Sequence, residues 1–254
     1  MTRPPEYGGL DLFAESPEEA ARYYAWILGR REPDTLAALG VQFHAVRTPG
    51  DAGWAPVLRV DADVVRRIPA ELREPEPAEG IDLGFLRGPD GVRVALTAVR
   101  RAENALRYTN VDLSTEDVSG VTAHLAATLR AERVAMVDDP YDMEFVCAAR
   151  RILFGVFRVR GAMPGRPRSF WIGYFEVRDI GTAVARAVES GSRVVMAPSR
   201  SPFNEYAVLT DPWGHLFGLS RLLPRSTLDG VLVVTADGTR RPLAETLELP
   251  QPLF

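Results

Sequence analysis

Few kinds of side chain in this sequence can do chemistry. All thirty basic residues are arginine, so no lysine is present to form a Schiff base or to complete a phosphate-binding loop. The single cysteine, Cys147, supplies neither an internal disulfide nor a thiolate cluster, and its expected place is that of a small buried hydrophobe. No nucleophile and base stand at a recognisable spacing. What remains is carboxylate chemistry, at Asp11 in LDLFA, Asp112 in VDLS and Glu176 in YFEVR. A carboxylate set among aromatic rings has a raised pKa and serves as general acid or base. The competing expectation for each of the three is a pairing with one of the many arginines, or contact with water at a sheet rim.

The elements that must position these groups are visible because the chain repeats itself. LDLFAESPEEAARYYAWILGR runs from an alternating strand through Ser16, Pro17 and Glu19, a pattern for a capped helix that Gly29 ends. VDLSTEDVSGVTAHLAATL repeats that strand, acidic turn and helix about a hundred residues later, and this makes Asp11 and Asp112 matched positions. WAPVLRVDADVVRRI, from Trp54, recurs as WIGYFEVRDIGTAVARAV, from Trp171. Gly88-Pro89-Asp90-Gly91 before VRVALT recurs as Asp211-Pro212-Trp213-Gly214 before HLFGLS, each a tight turn between strands. The offset between copies grows along the chain, which places insertions in the second copy. After Leu223 a tail follows whose Val231 to Thr235 and Asp237-Gly238 predict a hairpin that extends or covers a sheet edge.

Composition narrows the class. With 46% hydrophobic and 25% charged residues over 254 positions, the chain has the balance of a globular protein with a real core, and general disorder is excluded. A formal charge of -4 without a basic stripe argues against nucleic acid as a partner. No apolar run approaches the roughly 20 residues that span a bilayer, and MTRPPEYGGL has no leader-like pattern, so no membrane partner and a cytoplasmic location are expected.

On these motifs the chain resembles the glyoxalase, bleomycin-resistance and extradiol-dioxygenase superfamily, the vicinal oxygen chelate fold, in its fused two-module form. The most specific stretch is EVRDIGTAVARAVESGSRVVMAPSRSPFNEYAVLTDPWGHLFGLS, and the resemblance spans about residues 8 to 223. It implies an α+β fold of tandem modules, each of paired βαβββ units forming a cupped mixed sheet with helices outside and small molecules bound on the concave face. The implied division is 1–103, 104–223, and a C-terminal extension over 224–254. A monomer or homodimer is expected.

Members of that family that use a metal supply His, Gln or Glu from the first strand, the strand after the mid-module crossover and the last strand. Mapped here, those slots fall on Gly9 or Leu10, Ala55 and Ala95 in the first module, and on Asn110 or Val111, Phe170 to Ile172, and Gly218 in the second. Such a set predicts no metal site and no cofactor, since only Asn110 offers an oxygen and an amide is a poor transition-metal ligand. None of His44, His124 and His215 falls on a slot; His44 is expected on a surface or edge strand, His124 half-buried on a helix.

If the slots point into the cups, alternation puts Asn110, Asp112 and Ser114, Ile172, Tyr174 and Glu176, and Leu216, Gly218 and Ser220 on the second concave face, with Asp11, Phe13, Ala55, Arg93, Ala95 and Thr97 on the first. The candidate proton-transfer groups are then Asp112, Glu176 and Asp11. The candidate ligand contacts are Phe13, Trp54, Tyr108, Asn110, Trp171, Tyr174, Phe203, Trp213 and His215. Two functions fit: a pocket protein that sequesters an aromatic or apolar small molecule without a metal, and a metal-free isomerase, cyclase or lyase that works through a pocket carboxylate. A metal-dependent glyoxalase or dioxygenase fits less well.

Overall fold

The computed structural model describes residues 4–30, 32, 34–46, 52–74, 84–98, 109–158 and 168–249. Its first part contains β1 (Glu6–Ala14), α1 (Pro17–Ile27), α2 (Asp34–Ala37), β2 (Val41–Ala45), β3 (Gly53–Arg59), α3 (Ala62–Arg67), β4 (Arg73–Glu74), β5 (Phe85–Arg87) and β6 (Arg93–Thr97). The second part contains β7 (Thr109–Thr115), α4 (Val118–Leu129), β8 (Glu132–Met136), β9 (Glu144–Ala148), β10 (Arg151–Arg158), β11 (Phe170–Glu176), α5 (Ile180–Glu189), β12 (Arg193–Arg200), β13 (Asn204–Thr210) and β14 (Leu216–Leu222). β15 (Leu232–Thr235), β16 (Arg240–Pro242) and α6 (Leu243–Thr246) follow.

These elements form two mixed sheets in an α+β architecture, ordered β2-β1-β3-β6-β5-β4 and β12-β13-β14-β11-β7-β10-β9-β8-β15-β16. The second sheet carries two full βαβββ units. In the first, the leading unit contributes β1, α1, α2 and β2 among the described residues. β15 pairs with β8 and β16 with β15, so the segment after β14 lengthens the second sheet at its edge.

Two of the three long helices begin as acidic turns dictate. Asp117 and Asp179 accept from the N–H groups of Gly120 and Thr182, satisfying donors that a helix start leaves open. Ser16 makes no such bond, contrary to the capping pattern, and α1 starts on Pro17, whose missing N–H needs no cap.

One core serves both sheets. Leu10, Leu12 and Leu58 of the first sheet and Val111, Leu113 and Phe175 of the second share it with Tyr24, Leu125 and Ala187 from α1, α4 and α5. Tyr24 is fully buried here, its ring edge-on to Trp54 and Phe217 and its hydroxyl donating to Asp211 at 3.1 Å. Each such aromatic contributes about 1.5 to 3 kcal/mol by leaving water. The cups lie on the opposite faces, and the core thereby fixes which side of every central strand is left for a site.

Candidate functional site

A cavity of about 270 Å³ lies on the concave face of the second sheet. β7 brings Asn110, Asp112 and Ser114 to it, β10 brings Gly155 and Phe157, β11 brings Ile172 and Tyr174, and β13 brings Asn204, Tyr206 and Val208. Register accounts for this grouping: Asp112 is level with both Gly155 and Ile172, and Tyr174 with both Asn110 and Gly218. The walls are completed by Tyr141, Met143 and Phe145 at one end, Phe203 at another, and Arg225, Leu228 and Leu249 of the C-terminal segment. That segment therefore does more than extend a sheet edge, since Leu228, Leu243, Leu247 and Leu249 pack on Phe145 and Cys147 and close one side of the cup.

Asp112 is the acid at the bottom of this space. Burial pushes its pKa up to about 7, against a backbone N–H donated by Gly155 that favours the charged form. Gly155 is needed for that approach: a Cβ there would stand 2.4 Å from Asp112 Oδ1. Tyr174 is raised well above the ordinary phenol range, by burial first and then by the negative charge of Asp112, so its hydroxyl stays a donor. Tyr206 is raised by burial and by its neighbour Tyr141.

The remaining expected residues are dispersed. Glu176 shares a strand face with Tyr174 but sits at the rim; its carboxylate accepts from the Leu222 N–H at 3.0 Å, and burial, opposed by that bond and by Arg221, raises its pKa to about 7. Asp11 lies in the other cup, where it accepts from or donates to His44 Nε2 at 2.9 Å. Phe13 stacks on that imidazole with ring centres 5.0 Å apart. His44 is on an edge strand as expected, though its side chain is nearly buried.

Four expected ligand contacts stand elsewhere. Trp54 and Trp171 belong to the core between the sheets: Trp54 meets Tyr24 and Phe175, and Trp171 meets Phe154 edge-on. They sit at odd steps from Ala55 and Ile172, which puts their rings on the other face. Trp213 at the turn is packed against Tyr23, and His215 is held by the buried Asp211, which accepts from its backbone N–H and bonds its Nδ1 at 2.9 Å. This turn ties the second module to α1 rather than serving the cavity. Tyr108 lies outside the described residues. Cavity residues that went unpredicted include Tyr206, Phe157 and Gly155; alternation in NEYAVLT, and a glycine inside the strand RILFGVFR, were their signals.

A metal does not fit the residues at the second-module slots. The row level across three strands is Asn110, Tyr174 and Gly218, so Tyr174 rather than Ile172 takes the central place. Its ring occupies the space a Gly218 side chain would need, a Cβ there lying 2.0 Å from Tyr174 Cδ1. An amide, a phenol that holds its proton and a glycine do not make a transition-metal donor set. Among the described residues no three His, Cys, Asp or Glu side chains form a metal-binding group.

Comparison with known proteins agrees with this geometry at the level of the fold. The chain is similar to the solved structure of the 2,2',3-trihydroxybiphenyl 1,2-dioxygenase of Sphingomonas wittichii, with 14% identity, a TM-score of 0.56, and coverage of 87% of this chain and 90% of that one. It is similar to a structure of catechol 2,3-dioxygenase, with 17% identity, a TM-score of 0.55, and coverage of 88% and 91%. For the Mn(II)-bound glyoxalase of Novosphingobium aromaticivorans the figures are 15%, 0.55, and 99% and 96%. No curated protein matches the chain. Residues 8–219 match the model of the Glyoxalase/Bleomycin resistance protein/Dioxygenase superfamily, and on that match the chain belongs to this superfamily.

Proposed function

We propose that the protein binds an aromatic or apolar small molecule in the second-module cavity without a metal, as a sequestering or carrier protein. The observation that carries this reading is a roughly 270 Å³ space walled by Phe145, Phe157, Phe203, Ile172 and Val208, with a few polar groups at its floor. Sites of this kind fix a ligand by apolar burial and orient it by sparse hydrogen bonds. Its size sets the class of ligand, because an apolar cavity of about 150 Å³ holds benzene and this one accommodates about two rings. A large glycopeptide would exceed it.

The test is a thermal-shift screen of the full chain with one- and two-ring aromatics, followed by calorimetry on the hits. Phe203→Ala should weaken a hit about tenfold or more, since truncating a well-placed aromatic anchor often costs over 1 kcal/mol. Hits whose affinity is untouched by Phe203→Ala and Tyr174→Ala would place the binding site elsewhere and end this reading.

One observation favours a second reading, a metal-free isomerase, cyclase or lyase. Burial raises the Asp112 pKa to about 7 in a mainly apolar cavity beside a phenol, a suitable value for moving protons near neutrality. On that reading Asp112→Asn keeps affinity for a hit and loses all turnover, as product analysis would reveal.

A further inference from the structure

The first cup contains a planar nitrogen base of its own. His44 reaches in from β2, its Nε2 2.9 Å from Asp11 and its ring stacked on Phe13 at an interplanar angle of 22°. β10 stands to β7 as β2 stands to β1, both pairs being parallel, and the registers can be compared directly. Asp11 faces Gln42 and Phe13 faces His44; Asp112 faces Gly155 and Ser114 faces Phe157. The second cup thus keeps the acid and has Phe157 where the imidazole would originate. Gly155 adds room and a backbone N–H.

We propose that the second-module cavity takes a planar nitrogen base in its protonated form, an aromatic amidine, amine or N-heterocycle, whose N–H donates to the Asp112 carboxylate. The ligand then brings a nitrogen from solution to Asp112, as His44 brings one to Asp11 within the first cup. This rests on the cavity being the ligand site proposed above, and it names the chemistry that site selects.

The charged and titratable groups around Asp112 agree with a cation. Tyr174 and Tyr206 face it from β11 and β13, Tyr141 and Asp139 from the turn between β8 and β9, Arg158 from β10 and Arg225 from the C-terminal segment. The two arginines are engaged at the rim. Arg158 Nε donates to Asp142 Oδ2 at 2.5 Å and Nη1 to the Glu116 carbonyl at 2.8 Å, while Arg225 Nη2 donates to the Leu249 carbonyl at 2.8 Å. The phenols, raised by burial, keep their protons and add no negative charge that would compete with Asp112 for the cation. A ligand that only accepts would be served by the phenols and would leave the Asp112 carboxylate with the Gly155 N–H alone.

The full chain is titrated by calorimetry with benzamidine and its neutral counterpart benzamide, and with naphthylmethylamine and naphthylmethanol. Each cation should bind about tenfold or more tightly than its neutral partner, the usual value of a charge-assisted hydrogen bond in a buried site. Asp112 must lose its proton to accept the cation, so benzamidine affinity should rise about tenfold between about pH 6 and about pH 8. In Asp112→Asn the preference of each cation over its neutral partner should vanish. Equal binding within each pair, or a preference that survives Asp112→Asn, overturns the cation and leaves the cavity reading standing. Failure of all four probes to bind sinks both. The wild-type comparison needs no variant, so instability of Asp112→Asn would not protect the proposal.

Discussion

Asp11 and Asp112 occupy matched points of the two repeats, and their surroundings have gone opposite ways. In the first cup the acid is fully buried and meets His44, while Phe13, Phe85, Ala55 and Ala95 close around them and Arg93 lies over the Phe85 ring at 3.9 Å. In the second cup the acid has a backbone N–H and an open space. Burying a carboxyl is costly unless it is paired. In the first cup that partner is part of the chain, and the cavity beside Asp112 can leave its place to a ligand. The contrast teaches that matched acids in two halves sharing a fold and a core are met differently, one by a side chain of the chain itself and the other by a backbone N–H beside a cavity.

The comparison breaks if the two acids respond alike to removal. Asp11→Ala strands the His44 imidazole in an apolar, nearly buried site and opens a void, and it should lower stability by about 3 kcal/mol. Urea unfolding of wild type and variant gives the number. A change below about 0.5 kcal/mol would mean that the pair in the first cup is incidental.

For Asp112 the sign differs and depends on pH. Its folded pKa, about 7, lies above the unfolded value of about 3.8. Stability from the retained proton is thus fully present below the unfolded pKa and is lost as pH rises through the folded one. Relative to Asp112→Asn, the wild type should lose about 2 to 3 kcal/mol between about pH 5 and about pH 8. Glu176, also raised to about 7, contributes to both proteins and drops out of the difference. Parallel stability-pH curves for the two proteins would remove the contrast.

How much of this could be read beforehand follows from what alternation encodes. Period-two patterning within a strand places Asn110, Asp112 and Ser114 on one side and Val111 and Leu113 on the other, and the cavity is on the first side. The helix starts and turns were equally local. The same rule did not sort Trp54 and Trp171, because β3 and β11 are buried on both faces and their sequences carry little contrast. The contact between His44 and Asp11 depends on β2 returning beside β1 in a particular register after a helix, and no pattern within either strand fixes that. Leu228 and Leu249 reach the cavity only through the packing of the C-terminal segment on Phe145, a long-range event with no local mark.

The smallest effect is the most direct link between the halves. His44→Ala removes the internal base and leaves Asp11 facing a space on an edge strand, a copy in miniature of the second cup. If the filled and open cups differ only in who supplies the nitrogen, added imidazole should restore part of the lost stability. With a dissociation constant near 1 mM and ligand at about 10 mM, mass action gives about 1.4 kcal/mol, seen as a rise in Tm that wild type does not show. The N,N'-dimethylimidazolium cation, in which both ring nitrogens are methylated and no N–H remains, should do less if a ligand N–H is what reaches Asp11. A His44→Ala protein that gains no more from imidazole than wild type would show that the acid in the first cup is held by its packing rather than by its base, and the analogy between the two cups would then stop at sequence.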